Sequence, residues 1–138
     1  MSNKTQLLSI VDDEHDIMCL FRDALSQIGY SIVLGFTDSM LALEHFKLNR
    51  SNYTLVLSDF RMPTMNGLEL LTKVKAINPS VKTVLISAFE VNEEDFEQSN
   101  CVDAFLQKPI SIPDLIDAVE TQISTSHLAL FSLRRNCR

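Results

Sequence analysis

Five residues of this 138-residue chain have types and settings that could do chemistry together: Asp12, Asp13, Asp59, Ser87 and Lys108. Each stands at or just past the end of a short apolar run, the runs being residues 7–11, 54–58, 81–86 and 103–106. Three carboxylates brought together repel one another, and their pKa values rise unless a cation neutralises them. A divalent ion does this economically. Oxygen ligands with no His or Cys among them select Mg²⁺, with Mn²⁺ as the alternative, over zinc. A carboxylate beside such an ion can attack a phosphoryl donor and form an aspartyl phosphate. That reaction needs mainly positioning and charge neutralisation. Lys108 offers a compact cation for it, and Ser87 offers a hydroxyl donor to a phosphoryl oxygen. Taken singly, each has a duller role: Asp12 and Asp13 as helix-capping acids, Lys108 as a solvated lysine, Ser87 as a turn residue. The coincidence of four run ends is what favours one shared site.

The elements must bring these residues together. Residues 7–11 read as a buried strand that stops at acids. Ile17, Leu20, Phe21, Ala24, Leu25 and Ile28 recur at helical spacing, with Gly29 as the stop. Residues 31–36 form a second strand. Thr37-Asp38-Ser39 offers an N-cap for a helix carrying Leu41, Ala42 and Phe46. The third strand, 54–58, ends at Asp59, and residues 67–77 read as a helix closed by Asn78-Pro79. The fourth strand, 81–86, ends at Ser87. Residues 90–98 are a weak, acidic helix, and 103–106 a short fifth strand leading to Lys108-Pro109. Ser111-Ile112-Pro113-Asp114 opens a last helix with Leu115, Ile116, Val119 and Ile123 on one face. Strand and helix alternate five times. This predicts an α/β fold, a three-layer, doubly wound five-stranded parallel sheet; among the orders such sheets take, 2-1-3-4-5, flavodoxin-like in class, is the expected one. Ligands of such sheets bind beyond the carboxyl ends of the strands, so the five residues should meet at one edge.

Composition narrows the function. Hydrophobic residues at 46% and charged residues at 22% suit one globular domain rather than a disordered chain. No apolar run approaches the roughly 20 residues that cross a bilayer, so no membrane association is expected. The polar N-terminus argues against a secretory signal. Cys19, Cys101 and Cys137 are too few and too scattered for a zinc site or a disulfide framework, which suits a reducing cytoplasm. The net charge is −6, and because the last 14 residues hold three Arg and no acid, residues 1–124 carry −9. Direct binding of nucleic acid by such a domain is disfavoured. The domain is expected over 6–124, with 125–138 a basic tail that extends the last helix or begins a linker.

Four stretches carry a family resemblance: Ile10-Val11-Asp12-Asp13-Glu14; Asp59-Phe60-Arg61-Met62-Pro63-Thr64-Met65-Asn66-Gly67; Ile86-Ser87-Ala88; and Phe105-Leu106-Gln107-Lys108-Pro109. Together they resemble the receiver domain of bacterial and archaeal two-component response regulators. The resemblance implies that Asp59 accepts a phosphoryl group from a histidine kinase or phosphotransfer protein. It implies that Asp12, Asp13 and Asp59 hold Mg²⁺, with the backbone carbonyl of Arg61 completing the protein ligands. It implies a cis Lys108-Pro109 bond. It also implies a switch in which Ser87 moves toward the phosphate and Phe105 rotates, changing a partner-binding face over residues 90–124. Phe105 lacks the hydroxyl of the Tyr common at that position, so its coupling should be weaker. The implied protein is a phosphorylated signalling component, not a turnover enzyme.

The chain departs from the family in places. Cys101-Val102 replaces the small pair that usually precedes the fifth strand, and Asn100 is expected to supply the left-handed turn. Five acids between Glu90 and Glu97 read as a solvated face or an acidic partner surface. Arg61 and Phe89 should flank an acyl phosphate and slow its hydrolysis. Two other classes fit less well. A phosphatase of the haloacid dehalogenase type needs a general acid two residues after the nucleophile, where Arg61 stands. A flavodoxin-like cofactor binder needs a phosphate loop where Asp12-Asp13-Glu14 stands. A receiver fragment of a longer regulator with a separate output domain is the remaining alternative.

Overall fold

A computed structural model describes residues 6–29, 32–88 and 100–135, with side chains as far as residue 124. Phe89 and the acidic stretch 90–98 lie outside the described residues. The elements are β1 (Leu7–Val11), α1 (His15–Ser26), β2 (Ile32–Phe36), α2 (Ser39–Asn49), a 3₁₀ turn (Arg50–Asn52), β3 (Tyr53–Asp59), α3 (Gly67–Ile77), β4 (Lys82–Ser87), β5 (Ala104–Gln107) and α4 (Ile112–Arg135). The five strands are parallel in the order β2-β1-β3-β4-β5. β1 and β3 therefore lie inside the sheet.

Strands covered on both faces are apolar at successive positions rather than alternate ones, and all five residues of β1 are buried. Leu8 and Ile10 pack with Met18, Phe21 and Leu25 of α1 and Leu115, Val119 and Ile123 of α4. Leu7 and Val11 pack on the other face with Ala42, Leu43 and Phe46 of α2 and Leu70, Leu71 and Val74 of α3. The strands are thus clamped between two cores, and their carboxyl ends have little freedom to shift.

Element ends differ slightly from the sequence reading. α1 stops at Ser26 because Gln27 and Ile28 donate back to Ala24 and Leu25 in a tighter turn, and Gly29 follows with φ +88°. Asp59 and Ser87 are the last residues of their strands rather than the first beyond them. Asn100 does take the left-handed conformation, at φ +55°. Ser111 accepts from the Asp114 N–H at 3.2 Å, as the cap pattern suggested. The α4 backbone continues as helix to Arg135. Among the described residues, no helix is long and apolar enough to cross a membrane.

Candidate functional site

Backbone hydrogen bonds just past the strand ends tie β1 to β2, β3 to β4 and β5 to β4. Asp12 N–H donates to Phe36 O at 3.0 Å, Phe60 N–H to Ile86 O at 2.8 Å, and Lys108 N–H to Ser87 O at 2.8 Å. α3 starts hard against the end of β3. A Cβ on Gly67 would lie 2.1 Å from the Asp59 carbonyl oxygen, so only glycine fits there. Asn66 caps that helix reciprocally with Glu69. The loop 60–66 is therefore held at both ends, directly beside Asp59.

Within this frame Asp12, Asp13 and Asp59 approach so that one oxygen of each lies within 4.8 Å of the others. Asp12 and Asp59 are buried, at 3% and 7% exposure, while Asp13 is exposed. Lys108 reaches Asp59 Oδ1 at 2.8 Å, and its peptide bond to Pro109 is cis. Ser87 is buried at the adjacent strand end, its hydroxyl 3.3 Å from the Ala88 carbonyl. A cleft of about 250 Å³ is lined by Asp13, Glu14, Asp59, Phe60, Arg61, Ser87, Ala88 and Lys108.

The electrostatics are unbalanced. Burial pushes the Asp12 carboxyl up to about 6; the Glu14 N–H, donating at 2.9 Å, and Lys108 pull it back, while Asp59 and Asp13 push it further. Burial also raises Asp59, and its contact with Lys108 does not fully compensate, because Asp13 and Glu14 oppose it. Burial opposes the Lys108 charge, but the hydrogen bond and charge of Asp59, with Asp12 and Glu14 beyond, hold its pKa above normal. The acids Asp12, Asp13, Glu14 and Asp59 outnumber the cations Lys108 and Arg61, which leaves an excess of negative charge at the cleft. The donor set is all oxygen, which fits a small hard divalent cation and not zinc.

A family model for the response regulator receiver domain matches residues 8–120. The chain belongs to the response regulator receiver family. As a receiver domain it is 29% identical over 124 residues to the polar-differentiation response regulator DivK of Brucella ovis, covering 86% of this chain and 97% of that one. It is 28% identical over 128 residues to the transcriptional regulatory protein GlrR of Escherichia coli K12, covering 91% of this chain but only 28% of GlrR. The chain thus spans about a quarter of that regulator's length. Among solved structures, a CheY-like receiver domain protein from Methanospirillum hungatei superposes with TM-score 0.81 at 24% identity, covering 91% of this chain and 98% of that one. The receiver domain of the Francisella response regulator 1452 gives 0.73 at 26% identity, covering 87% and 98%.

The receiver fold brings together the five residues that the sequence singled out, although Asp12 is not itself among the cleft's lining residues. Arg61 lines the same cleft. Phe105 lies apart, half-buried on β5 opposite Leu85 and packed against the α2–α3 core. Glu14 lines the cleft and also bonds Asp12 through its backbone, a part the sequence reading did not give it. Its place beside Asp13 was the available signal.

Proposed function

We propose that this receiver domain accepts a phosphoryl group on Asp59 from a phosphohistidine of a kinase or phosphotransfer protein. The observation that carries the reading is the Asp59 carboxylate at the end of the central strand, 2.8 Å from Lys108 and within 4.8 Å of the two other acids. One carboxylate oxygen of Asp59 forms the new O–P bond as the P–N bond to the donor breaks. The electron pair stays on the departing imidazole nitrogen, which takes a proton from solvent. Lys108 neutralises charge on the transferring oxygens, and the Ser87 hydroxyl donates to one of them. Asp12, Asp13, Asp59 and the Arg61 carbonyl would hold Mg²⁺, or Mn²⁺ in its place. That ion supplies a second cation to the phosphoryl oxygens.

The output is a change of protein-binding surface. Added phosphate puts new acceptors beside Ser87 and Lys108. Ser87 and Phe105 lie on neighbouring strands paired through Leu85–Phe105 and Ser87–Gln107, which supports a route from the site to the partner region assigned to 90–124, of which 100–124 are described. The partner on that face is a protein, and the acidic balance disfavours nucleic acid. The cytoplasm, where histidine kinases present their phosphohistidine, is the compartment this reading requires.

Incubation of the chain with acetyl phosphate and Mg²⁺, followed by intact-mass measurement, tests the reading. One phosphoryl adduct is expected, absent from Asp59→Asn and absent when Mg²⁺ is chelated. An adduct that survives Asp59→Asn would move the acceptor elsewhere and remove the proposal.

A further inference from the structure

The loop between β3 and α3 is restrained at its apex as well as at its ends. It closes where Gly67 N–H donates to the Phe60 carbonyl at 2.8 Å. At the apex, Met65 N–H donates to the Pro63 carbonyl at 2.7 Å, a γ-turn centred on Thr64. Thr64 has φ +71°, a left-handed conformation that a β-branched residue adopts at a cost. Such a turn persists only where its surroundings hold it. Two contacts do so here. The Met65 side chain is buried in the core that contains Ala42, Leu43 and Phe46 of α2. Ser39, the first residue of α2 and 2% exposed, donates its Oγ–H to the Met65 carbonyl at 2.9 Å, across 26 residues of chain. That hydroxyl is not the cap of its own helix. Asp38 fills that role, its side chain accepting from the Met40 N–H at 2.8 Å.

We infer that Ser39 is a positioning residue for the cation site: by bonding the Met65 carbonyl it holds the strained apex of the loop that carries Arg61. The inference rests on the reading above that makes the Arg61 carbonyl a metal ligand. Without the hydroxyl, the Met65 carbonyl loses its donor and Thr64 is free to relax out of the left-handed region. Arg61, three residues earlier in the same closed loop, shifts with it. Mg²⁺ demands near-ideal octahedral geometry, so a small displacement of one ligand is felt as affinity. Asp12 and Asp13 are held by β1 and do not depend on this loop. Binding therefore weakens without vanishing.

The test is Ser39→Ala in the full chain, read by calorimetric titration with Mg²⁺ alone and by adduct formation from acetyl phosphate across a Mg²⁺ series. The Mg²⁺ dissociation constant is expected to rise about tenfold, the low end of what removing a ligand-orienting partner costs. Adduct formation at saturating Mg²⁺ should return to the wild-type rate, with only the half-saturating concentration shifted. In a Thr64→Gly background the turn carries no side-chain strain, so the same Ser39→Ala change should then cost little. This is a coupling that two independent sites would not show. A Ser39→Ala protein with a lower Tm and unchanged Mg²⁺ affinity would make Ser39 merely structural and overturn the inference. Failure of the wild type itself to bind Mg²⁺ would instead remove the metal reading, and the clamp with it.

Discussion

Among the described residues, two lysine–aspartate pairs have nearly equal length, and the pKa values of their carboxyls move in opposite directions. Lys75 meets Asp103 at 2.7 Å, and Lys108 meets Asp59 at 2.8 Å. Burial works against both carboxylates. For Asp103 it is outweighed by the hydrogen bonds from Lys75 and the Thr83 N–H and by the charges of Lys75 and Lys82, so its pKa falls below the ordinary value. For Asp59 burial wins: Lys108 lowers the pKa, but Asp13 and Glu14 push it back, and it ends raised. The Asp59 side chain is 9% exposed and the Asp103 side chain 26%. Distance to the lysine does not separate the two; deeper burial and the neighbouring acids do. One pair is satisfied and joins α3 to the chain leading into β5. The other leaves a carboxylate under-compensated, as a nucleophile awaiting a further cation and a phosphoryl group would be.

The largest expected effect is on stability against pH in chelator-treated protein. Asp12, raised to about 6, binds more protons folded than unfolded between its ordinary value and 6. Its contribution is therefore fully present below the ordinary value of 3.8 and is lost as pH rises through about 6. At about 1.4 kcal/mol per pKa unit this is on the order of 3 kcal/mol, and Asp59 adds to it with the same sign. Asp103 acts oppositely: its stabilisation is present above its ordinary value and lost as pH falls below it. Urea unfolding at about pH 4 and about pH 7 should show the metal-free protein weaker at the higher pH, with Mg²⁺ restoring the stability lost there. Higher stability at neutral pH without metal would contradict the imbalance described for the cleft.

Next in size is the effect of each lysine on phosphoryl uptake. Lys108→Met should slow adduct formation about 100-fold, the cost of one preorganised charge at a reacting oxygen. Lys75→Met should leave the rate unchanged. Equal rates in the two variants would erase the functional distinction between the pairs.

This contrast also marks what the sequence made legible. Asp12, Asp13, Asp59, Ser87 and Lys108 could be grouped because each ends an apolar run, and parallel strand ends share one edge. The parallel sheet and the two-sided core follow from the same alternation, whereas the strand order does not, because doubly wound sheets take more than one order. Asn100 was legible as a left-handed residue because asparagine tolerates that conformation. Thr64 was not, because a β-branched residue is among the least suited to it. The Lys75–Asp103 pair and the Ser39–Met65 bond join residues 28 and 26 apart, and no local pattern marks either partner. Such contacts depend on where whole elements dock, which periodicity does not encode.

A smaller effect separates the pairs in stability rather than rate. Asp103→Ala leaves the Thr83 N–H, on a residue with no solvent exposure, without its carboxylate acceptor, and strands Lys75. A loss of about 1–3 kcal/mol in urea unfolding is expected. Asp59→Ala removes a charge that its neighbours repel, so stability should hold or rise. A comparable loss in both variants would mean that the cleft pair is a structural pair like the other.

The smallest effect is the control for distance. Arg22 Nη2 lies 3.2 Å from Asp23 Oδ1, only slightly longer than the other two pairs, but the side chains are 37% and 69% exposed. The two residues are adjacent on α1, so they do not share a helix face. Water screens both charges, and ordering two side chains offsets what attraction remains. Arg22→Ala should change unfolding free energy by less than about 0.5 kcal/mol, and added salt should leave that difference near zero. A loss as large as that from Asp103→Ala would show that proximity alone sets the strength of these pairs. The surrounding charges and burial, on which the contrast between Asp59 and Asp103 depends, would then have no measurable weight.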